Sequence, residues 1–183
     1  MNITIIGTGN MARAIGTRLL AGGNNITLVG HDPGKAENLA AEFQGAAQVG
    51  ASVRAAPVGA PLDGDVVVLA VPSTAAASVA QQYGDQLAGK IVVDITNPVD
   101  FSTIVADTLV AGQVGGQSLD VFIAGDDAEA KAIISQLVAS AGLRAVDVGP
   151  LQRARQLEAL GLLHMVVQPT LGTGFGSAVK ILA

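Results

Sequence analysis

The chain has 183 residues, enough for one domain with its own hydrophobic core and too few for most multidomain enzymes. Its net charge of −5, its single Tyr and its lack of Trp argue against a nucleic-acid partner. The absence of Cys excludes disulfides, thiolate catalysis and cysteine-ligated metals, and it favours a reducing compartment, by default the cytoplasm.

Short apolar runs bounded by Gly, Pro or Asn alternate with longer amphipathic segments, a pattern typical of a parallel sheet covered on both faces. The predicted strands are Ile3–Ile6, Ile26–Val29, Val66–Val71, Ile91–Ile95, Val121–Ala124 and Ala145–Val148, with a further short strand around Ala51–Arg54. The predicted helices are Met11–Leu20, Lys35–Phe43, Thr74–Tyr83, Ala128–Ser140 and Leu151–Val167. We therefore expect a doubly wound α/β fold in a single domain spanning residues 1–183, with residues 150–183 as a C-terminal helical extension.

The first predicted strand runs into a G-x-G-x-x-A motif that opens the first helix, within Ile3–Ala12. Gly7 allows a tight turn, Gly9 lets the backbone approach a pyrophosphate, and Ala12 lets helix and strand pack closely. The helix N-terminus supplies N–H donors and the positive end of the helix dipole. Because a strand precedes the motif and a helix follows it, it predicts the phosphate loop of a Rossmann-type domain rather than a simple glycine turn.

The end of the second predicted strand should lie beside the adenosine ribose, where an acidic residue favours NAD and a basic residue favours NADP. With Gly30 as the first residue past the strand, His31 and Lys35 offer donors to a 2′-phosphate, which favours NADP. If the strand ends one or two residues later, Asp32 becomes the ribose partner and the preference reverses. His31 can equally be a polar turn residue.

Two further strand ends point to the same crevice, because ligands of open α/β sheets bind outside the carboxyl ends of the strands. The first is Leu69–Thr74, in which the favoured role of Ser73, or of the threonine after it, taken alone, is that of a helix N-cap rather than a ligand contact. The second is Asp94–Pro98, in which Asn97 is held extended by Pro98 and its amide either faces the nicotinamide or belongs to an ordinary turn.

Candidate catalytic residues are few. Neither G-x-S-x-G nor H-E-x-x-H occurs and the chain has only two His, so we expect no hydrolytic triad and no metal site. Asp126 and Asp127 open a predicted helix, where capping and the helix dipole account for both acids. His164 lies in an apolar run and is interpreted as a hydrogen-bonded core or interface residue rather than a general acid or base.

Two uncharged stretches, Val66–Gly84 and Ala159–Val179, are long enough to be considered as membrane spans. Both contain Pro and Gln, so we expect no membrane segment, and Met1–Thr4 lacks the basic start of a signal peptide. Because only 14% of the residues are charged, much of the surface is expected to be buried or shared.

Six stretches of the sequence recur in one known family: Ile3–Ala12, Val66–Pro72, Val92–Pro98, Val121–Asp127, Ala145–Leu160 and Gly172–Leu182. On these stretches the chain resembles the NADP oxidoreductases that depend on coenzyme F420, and it is also similar to the cytosolic reductase domain of the STEAP ferric reductases. The resemblance implies NADP(H) as one hydride carrier and a deazaflavin, coenzyme F420, as the other. It also implies a homodimer built partly from the C-terminal helices.

The resemblance also assigns roles to residues. It places the loop residues after Gly7 at the pyrophosphate, the end of the Val66–Pro72 stretch at the nicotinamide, and Leu171–Gly176 in the wall facing the second cofactor. His31 stands where many relatives carry Arg, which puts the NADP preference in doubt. The full predicted cofactor site is Gly7, Thr8, Gly9, Asn10, Met11, His31, Asp32, Lys35, Ala70, Val71, Pro72, Ser73, Asn97 and Pro98.

One departure from the family concerns Asp100–Ile104, where relatives carry a further strand with its connections. Such a unit needs about 25 to 30 residues, so we expect residues to be absent near Ser102–Thr103. The leading hypothesis is an oxidoreductase that transfers a hydride between NADP(H) and F420 or a flavin. The alternatives are a non-catalytic NADP(H)-binding redox sensor and a reductase of a small imine or keto acid, for which the sequence offers no convincing proton donor.

Overall fold

A computed structural model describes residues 1–45, 47, 50–96 and 107–182 of the chain. The chain divides into two compact units, an N-terminal unit, Met1–Asp100, and a C-terminal unit, Phe101–Ala183. The predicted site residues Asn97 and Pro98, and the expected gap near Ser102–Thr103, lie outside the described residues.

The N-terminal unit is built on one parallel sheet. Its strands are β1 (Asn2–Ile6), β2 (Asn25–Gly30), β3 (Val53–Pro57), β4 (Val66–Leu69) and β5 (Ile91–Asp94). Its helices are α1 (Asn10–Ala21), α2 (Pro33–Gln44) and α3 (Ser73–Tyr83), followed by a 3₁₀ turn, Gly84–Leu87. The strand order is β3-β2-β1-β4-β5 with every neighbouring pair parallel, which confirms the doubly wound, Rossmann-type prediction.

The order of the strands positions the helices. From β1 the chain builds outward through β2 to β3, then returns to the other side of β1 for β4 and β5. Because such crossovers are right-handed, this reversal places α1 and α2 on one face and α3 on the other. The central strands β1, β2 and β4 are almost wholly buried, as their high content of Ile, Val and Leu predicts.

The hydrophobic core of the N-terminal unit includes side chains of the central strands and of α3. Ile6, Val29 and Leu69 pack into one apolar cluster with Tyr83 at the end of α3. On α1, a Cβ at Gly16 would lie 2.4 Å from Cε2 of Phe43, so glycine is required for the close contact between α1 and α2.

The described part of the C-terminal unit contains a short helix, a hairpin, a βαβ unit and two further helices. Its elements are α4 (Asp107–Ala111), the antiparallel strands β6 (Gln113–Val114) and β7 (Gln117–Ser118), the parallel strands β8 (Asp120–Ala124) and β9 (Arg144–Gly149), α5 (Ala128–Ser140), α6 (Ala154–Val166) and α7 (Gln168–Leu171). The bounds predicted for α5 are confirmed, whereas the predicted helix Leu151–Val167 is a 3₁₀ turn, Leu151–Arg153, followed by α6. In the described part of the chain, no helix is long and apolar enough to cross a membrane.

Candidate functional site

The turn between β1 and α1 is held against two neighbouring strands. Gly7 has φ +127°, and a Cβ on it would lie 2.1 Å from the carbonyl oxygen of Ala70, just past β4. The Gly7 N–H donates to the carbonyl of Val29 at 2.8 Å, and the Ala70 N–H donates to the carbonyl of Ile6 at 2.8 Å. Only glycine fits position 7, and it fixes the turn between the carboxyl ends of β2 and β4.

Gly9 has a different role from Gly7. It is the N-cap of α1, with φ −84° and no capping side chain, and a Cβ on it would meet no atom of the described residues within 4 Å. The space beside the amino end of α1 is therefore open. The first N–H groups of a helix lack partners within the helix, and the helix dipole adds a positive end, so this space suits a pyrophosphate.

Thr8 packs over the end of β2. A Cβ at Gly30 would lie 2.7 Å from Cγ2 of Thr8 and 3.1 Å from Cβ of Ala36. Gly30 therefore lets the turn and α2 come together, a role that sequence reasoning missed because it depends on which way one methyl group points. The prediction that Gly30 is the first residue past the strand is wrong, since β2 includes Gly30.

Three polar residues follow the end of β2, and all are exposed: His31, Asp32 and Lys35. Asp32 is the N-cap of α2, and its Oδ1 accepts a hydrogen bond from the Lys35 N–H at 3.2 Å. Capping therefore accounts for Asp32 without a ligand, although the carboxylate also stands where a ribose partner is expected.

The end of β4 differs from the prediction. The strand stops at Leu69, two residues earlier than predicted, and α3 begins at Ser73 with Pro72 as its N-cap and no side-chain capping bond. The expectation that Ser73 or the threonine after it caps the helix is therefore wrong. Ala70 and Val71 are half-buried, and Pro72 is exposed.

The structure thus brings the predicted residues of the N-terminal unit together at adjacent strand ends. The order β2-β1-β4 places the turn in the middle, Thr8 against Gly30 and Gly7 against Ala70. This is the switch point of a doubly wound sheet, where ligands bind outside the carboxyl ends of the strands.

The two acids after β8 have separate roles. Oδ1 of Asp127 accepts hydrogen bonds from the N–H groups of Glu129 at 2.9 Å and Ala130 at 3.0 Å, which confirms that Asp127 caps α5. Asp126 does not cap the helix as predicted. Its Oδ1 accepts from the Leu151 N–H at 2.9 Å and joins the loop after β8 to the turn after β9.

A buried carboxylate that sequence reasoning missed organises the C-terminal segment. Asp120 has a completely buried side chain and accepts hydrogen bonds from Arg144 Nε at 2.7 Å, Lys180 Nζ at 3.0 Å and the Ile181 N–H at 2.9 Å. The Arg144 guanidinium, with help from the other two donors, holds the pKa of Asp120 far below its usual range. The same pair raises the pKa of Arg144.

A second carboxylate of this unit is also paired. Asp147 accepts from Lys131 Nζ at 3.0 Å and from the Gly149 N–H at 2.8 Å. The Lys131 ammonium is the main cause that lowers the pKa of Asp147.

His164 is half-buried with Nε2 2.9 Å from Ser177 Oγ, which confirms the prediction of a hydrogen-bonded histidine. The described residues contain no group of three acidic or histidine side chains that could hold a metal ion.

The sheet order and the glycine turn at its switch point define a dinucleotide-binding domain of the Rossmann type. Residues 2–98, more than half of the chain, match the family model described as NADP oxidoreductase, coenzyme F420-dependent. The chain belongs to this family.

Individual proteins and solved structures resemble the chain in sequence or in fold. The chain is 31% identical over 186 residues to metalloreductase STEAP3 of Rattus norvegicus, covering 87% of this chain and 36% of that protein. The chain therefore spans about a third of the length of that relative. A structure from Arthrobacter sp. FB24, described as a candidate F420-dependent NADP reductase, has a TM-score of 0.78 at 23% identity and is matched over 99% of both chains. An imine reductase from Myxococcus stipitatus has a TM-score of 0.66 at 19% identity, over 94% of this chain and 62% of that one.

Proposed function

We propose that the protein transfers a hydride between NADP(H), bound at the turn that opens α1, and a deazaflavin of the coenzyme F420 type. The observation that carries the proposal is that Gly7 and Gly9 have different and complementary roles in the same turn. Gly7 locks the turn against Ala70, while Gly9 leaves the amino end of α1 open to an anion. The match to the F420-dependent family supports the identity of the second partner.

The pyrophosphate is proposed to lie against Thr8, Gly9, Asn10 and Met11. Backbone N–H groups at the amino end of α1 would donate to its oxygens, and the helix dipole would stabilise its charge. Because no side chain of the described residues stands beside Gly9, the backbone itself can approach the phosphates.

NADP(H) is proposed over NAD(H) chiefly on the family description, against the end of β2 at Gly30, which is the case in which Asp32 becomes the ribose partner. His31 and Lys35 are exposed and offer donors to a 2′-phosphate. Asp32 opposes this preference through its negative charge, but one of its oxygens is engaged by the Lys35 N–H. The description of the family as NADP oxidoreductases supports the same choice.

The nicotinamide end of the site is proposed to comprise Ala70, Val71, Pro72 and Ser73, which follow β4 beside Gly7. Two further residues, Asn97 and Pro98, are assigned to it on the strand-end pattern of the sequence and on the family resemblance. When bound, NADPH supplies the hydride from its nicotinamide ring, and the protein binds the ring, orients it and excludes water.

The second redox partner is proposed to bind against Leu171–Gly176 in the C-terminal unit, and the protein to act as a homodimer in the cytoplasm. The helix α6 has no buried residue, and Leu162, Leu163 and Val166 on it are 46%, 60% and 66% exposed. A group of exposed leucines and valines is typical of a surface that a partner covers. We expect neither nucleic acid nor membrane as that partner.

The test begins with a matched pair of variants, Gly9→Ala and Gly45→Ala. Both glycines have negative φ, and a Cβ at Gly45 meets only Glu42 O at an ordinary 3.6 Å. We expect Gly9→Ala to weaken NADPH binding at least tenfold, because its methyl fills the phosphate space, while both variants keep the melting temperature of the parent within a few degrees. NADPH fluorescence titration and thermal unfolding measure the two effects.

Stopped-flow mixing of the protein with NADPH and oxidised F420 then tests the reaction, which should bleach the deazaflavin band. If FMN or FAD is bleached and F420 is not, the second redox partner is a flavin rather than a deazaflavin. NADPH binding without turnover on any of these acceptors would support a redox-sensing module, and turnover only on cyclic imines would support an imine reductase.

A further inference from the structure

The strands β1 and β2 begin with the same three residues. Asn2–Thr4 and Asn25–Thr27 both read Asn-Ile-Thr, and the parallel register pairs the two segments residue by residue. Because side chains alternate between the two faces of a sheet, both Asn and both Thr lie on one face. Arg54 of β3 extends the row of threonines, since it is the register partner of the Thr in β2. One face of the sheet is therefore polar at the amino ends of these strands, opposite the proposed dinucleotide crevice.

A cavity of about 230 Å³ lies at this polar end of the sheet, within the N-terminal unit. Most of the side chains that line it are polar: Asn2, Asn25, Thr27, Ser52, Arg54 and Asp63. Sites for drug-sized ligands have volumes of about 300 to 1,000 Å³. The cavity therefore suits a smaller molecule, held by hydrogen bonds rather than by apolar contact.

Thr27 places a buried hydroxyl group in the wall of this cavity. The residue is only 8% exposed, and within the described residues its hydroxyl has no hydrogen-bond partner. The hydroxyl of Thr4 also lacks a partner, but it is completely enclosed beside Gly64, where a Cβ would lie 2.9 Å from it. The Thr27 hydroxyl is not enclosed in this way, and its residue lines the cavity. Because an unpaired buried hydroxyl costs free energy, it favours an occupant that forms a hydrogen bond with it.

The two asparagines of the lining are held in one orientation by a chain of hydrogen bonds. The backbone N–H of Ser52 donates to Oδ1 of Asn25 at 3.0 Å. Because a backbone N–H can only donate, this contact orients the Asn25 amide, whose Nδ2 donates in turn to Oδ1 of Asn2 at 3.0 Å. Within the described residues, Nδ2 of Asn2 then has no acceptor. Asn2 is therefore an oriented donor with hydrogens available to an occupant.

The other polar groups of the lining add acceptors and balanced charge. The Ser52 hydroxyl donates to Asn25 Oδ1 at 2.9 Å and keeps its own lone pairs. Arg54 pairs with one oxygen of Asp63 through one nitrogen. In the described structure, the other guanidinium nitrogens and the second carboxylate oxygen have no partner. An occupant is therefore offered both donors and acceptors by a lining without net charge.

We propose that this cavity binds a small neutral polyol, a molecule in which every hydroxyl group both donates and accepts hydrogen bonds. Its oxygens accept from Asn2 and Arg54, and its hydroxyl hydrogens go to Ser52 and Asp63. The Thr27 hydroxyl takes either role. The site lies at the opposite end of the sheet from Gly7 and Gly9, so binding there does not depend on hydride transfer.

Other classes of ligand fit this lining less well. An anion meets the carboxylate of Asp63, and a cation meets the guanidinium of Arg54. The charged residues beside the lining, Asp65 and Lys90, are also of opposite sign. Because Arg54 and Asp63 already neutralise each other, a zwitterion must separate them to bind. An apolar molecule leaves the Thr27 hydroxyl unpaired.

An NMR titration of the full chain tests the site without any redox reaction. In ¹H–¹⁵N spectra recorded with increasing ribitol, we expect saturable shifts of the amide signals of Ile26, Thr27 and Ser52. Glycerol should bind more weakly, because it has fewer hydroxyl groups. Shifts that grow linearly with both polyols, or saturable shifts that spare these amides, would overturn the proposal. So would saturable binding of glycine or inorganic phosphate without binding of either polyol.

Two threonine variants provide a matched pair. Thr27→Val replaces the hydroxyl in the cavity wall with a methyl group, and we expect the affinity for ribitol to fall about fivefold. Thr4→Val makes the same change at the enclosed position and should keep the affinity within twofold of the parent. Both variants should bind NADPH like the parent. Equal ribitol affinity in Thr27→Val and the parent shows that the hydroxyl does not contact the occupant, and the proposal is then wrong.

A third variant tests the oriented donor independently of Thr27. Asn2→Asp keeps an oxygen for the Asn25 amide but offers the occupant no N–H group. Ribitol affinity should again fall about fivefold, while thermal unfolding shows that the variant is folded. If Thr27→Val does not fold, Asn2→Asp alone decides, and ribitol affinity equal to that of the parent refutes the site.

Discussion

The two units of the chain are stabilised in different ways. In the N-terminal unit, most completely buried side chains are apolar and belong to central strands, among them Ile5, Leu28 and Val67. In the C-terminal unit, the buried apolar side chains among the described residues are only Ile134, Leu137, Val138 and Ala141. There the completely buried carboxylate of Asp120, which accepts hydrogen bonds from three residues, fixes the C-terminal segment.

The two units also differ in how many large apolar side chains they expose. Among the described residues, three large apolar side chains of the N-terminal unit are exposed, against nine of the C-terminal unit. The N-terminal unit therefore leaves little apolar surface to water, which suits a binding domain with one open crevice. The C-terminal unit relies on directed polar contacts and presents apolar surface that fits a partner.

The largest effect is expected at Gly7. Gly7→Ala places a Cβ 2.1 Å from the Ala70 carbonyl in a conformation that alanine rarely adopts. We expect the free energy of unfolding of the N-terminal unit to fall by about 3 kcal/mol or more, measured by urea denaturation. Gly9→Ala is the control and should unfold like the parent. An equal loss of stability in both variants would contradict the separate roles of the two glycines.

The next largest effect is the dependence of stability on pH that Asp120 causes. Because folding lowers its pKa, its contribution to stability is present above about pH 4, the ordinary range of a carboxyl group, and is lost as the pH falls further. Asp120→Asn should therefore lower the melting temperature at pH 7 and flatten its fall below pH 4. Calorimetry at a series of pH values measures this.

The matched control is Asp63→Asn in the N-terminal unit. Asp63 pairs with Arg54, and both side chains are more than half exposed, so this pair is screened by solvent. If Asp63→Asn and Asp120→Asn change the melting curves equally, the buried carboxylate does not distinguish the two units.

A smaller effect is expected at Asp32, beside the proposed position of the adenosine ribose. Asp32→Asn removes a negative charge but keeps an acceptor for the Lys35 N–H, so α2 stays capped. NADP⁺ should then bind several-fold more tightly, with little change for NAD⁺. Asp32→Ala should show the same gain for NADP⁺ and lose about 1 kcal/mol of stability through the missing cap. Tighter NAD⁺ binding in Asp32→Asn would refute the proposed preference.

The smallest effect is a gain in stability. Thr4 is completely buried in β1, and its Oγ1 has no hydrogen-bond partner in the described structure. Thr4→Val removes this unpaired hydroxyl with little change of shape and should raise the free energy of unfolding by about 1 kcal/mol. Thr27→Val, at the register partner of Thr4 in β2, serves for comparison. A loss of stability in Thr4→Val would show that the hydroxyl is satisfied.

Much of the N-terminal unit could be predicted because its signals are local. The segments that form β1, β2 and β4 are rich in Ile, Val and Leu, and the glycine motif lies between a strand and a helix. Local signals do not determine the last residue of an element, so the predicted C-terminal ends of β2 and β4 differ from the structure by one and two residues. The role of Gly30 depends on the Thr8 methyl, which no sequence pattern reveals.

The C-terminal unit depends on contacts between distant residues. Lys180 is 60 positions from Asp120, and no spacing rule connects a strand residue with a terminal segment. The hairpin of β6 and β7 has strands of two residues each, too short to show alternation. His164 was recognised as a hydrogen-bonded residue, but its partners Gln168 and Ser177 could be named only from the structure.

The central claim is that the crevice beside Gly9 binds NADPH for hydride transfer to a deazaflavin. The most direct measurement is stopped-flow absorbance with NADPH carrying deuterium on the transferred position of nicotinamide C4, mixed with oxidised F420 and the protein. We predict bleaching of the deazaflavin band, a slower rate with deuterium, and deuterium in the reduced product. An unbleached band at saturating NADPH, or a product that takes its hydrogen from water, would contradict the claim.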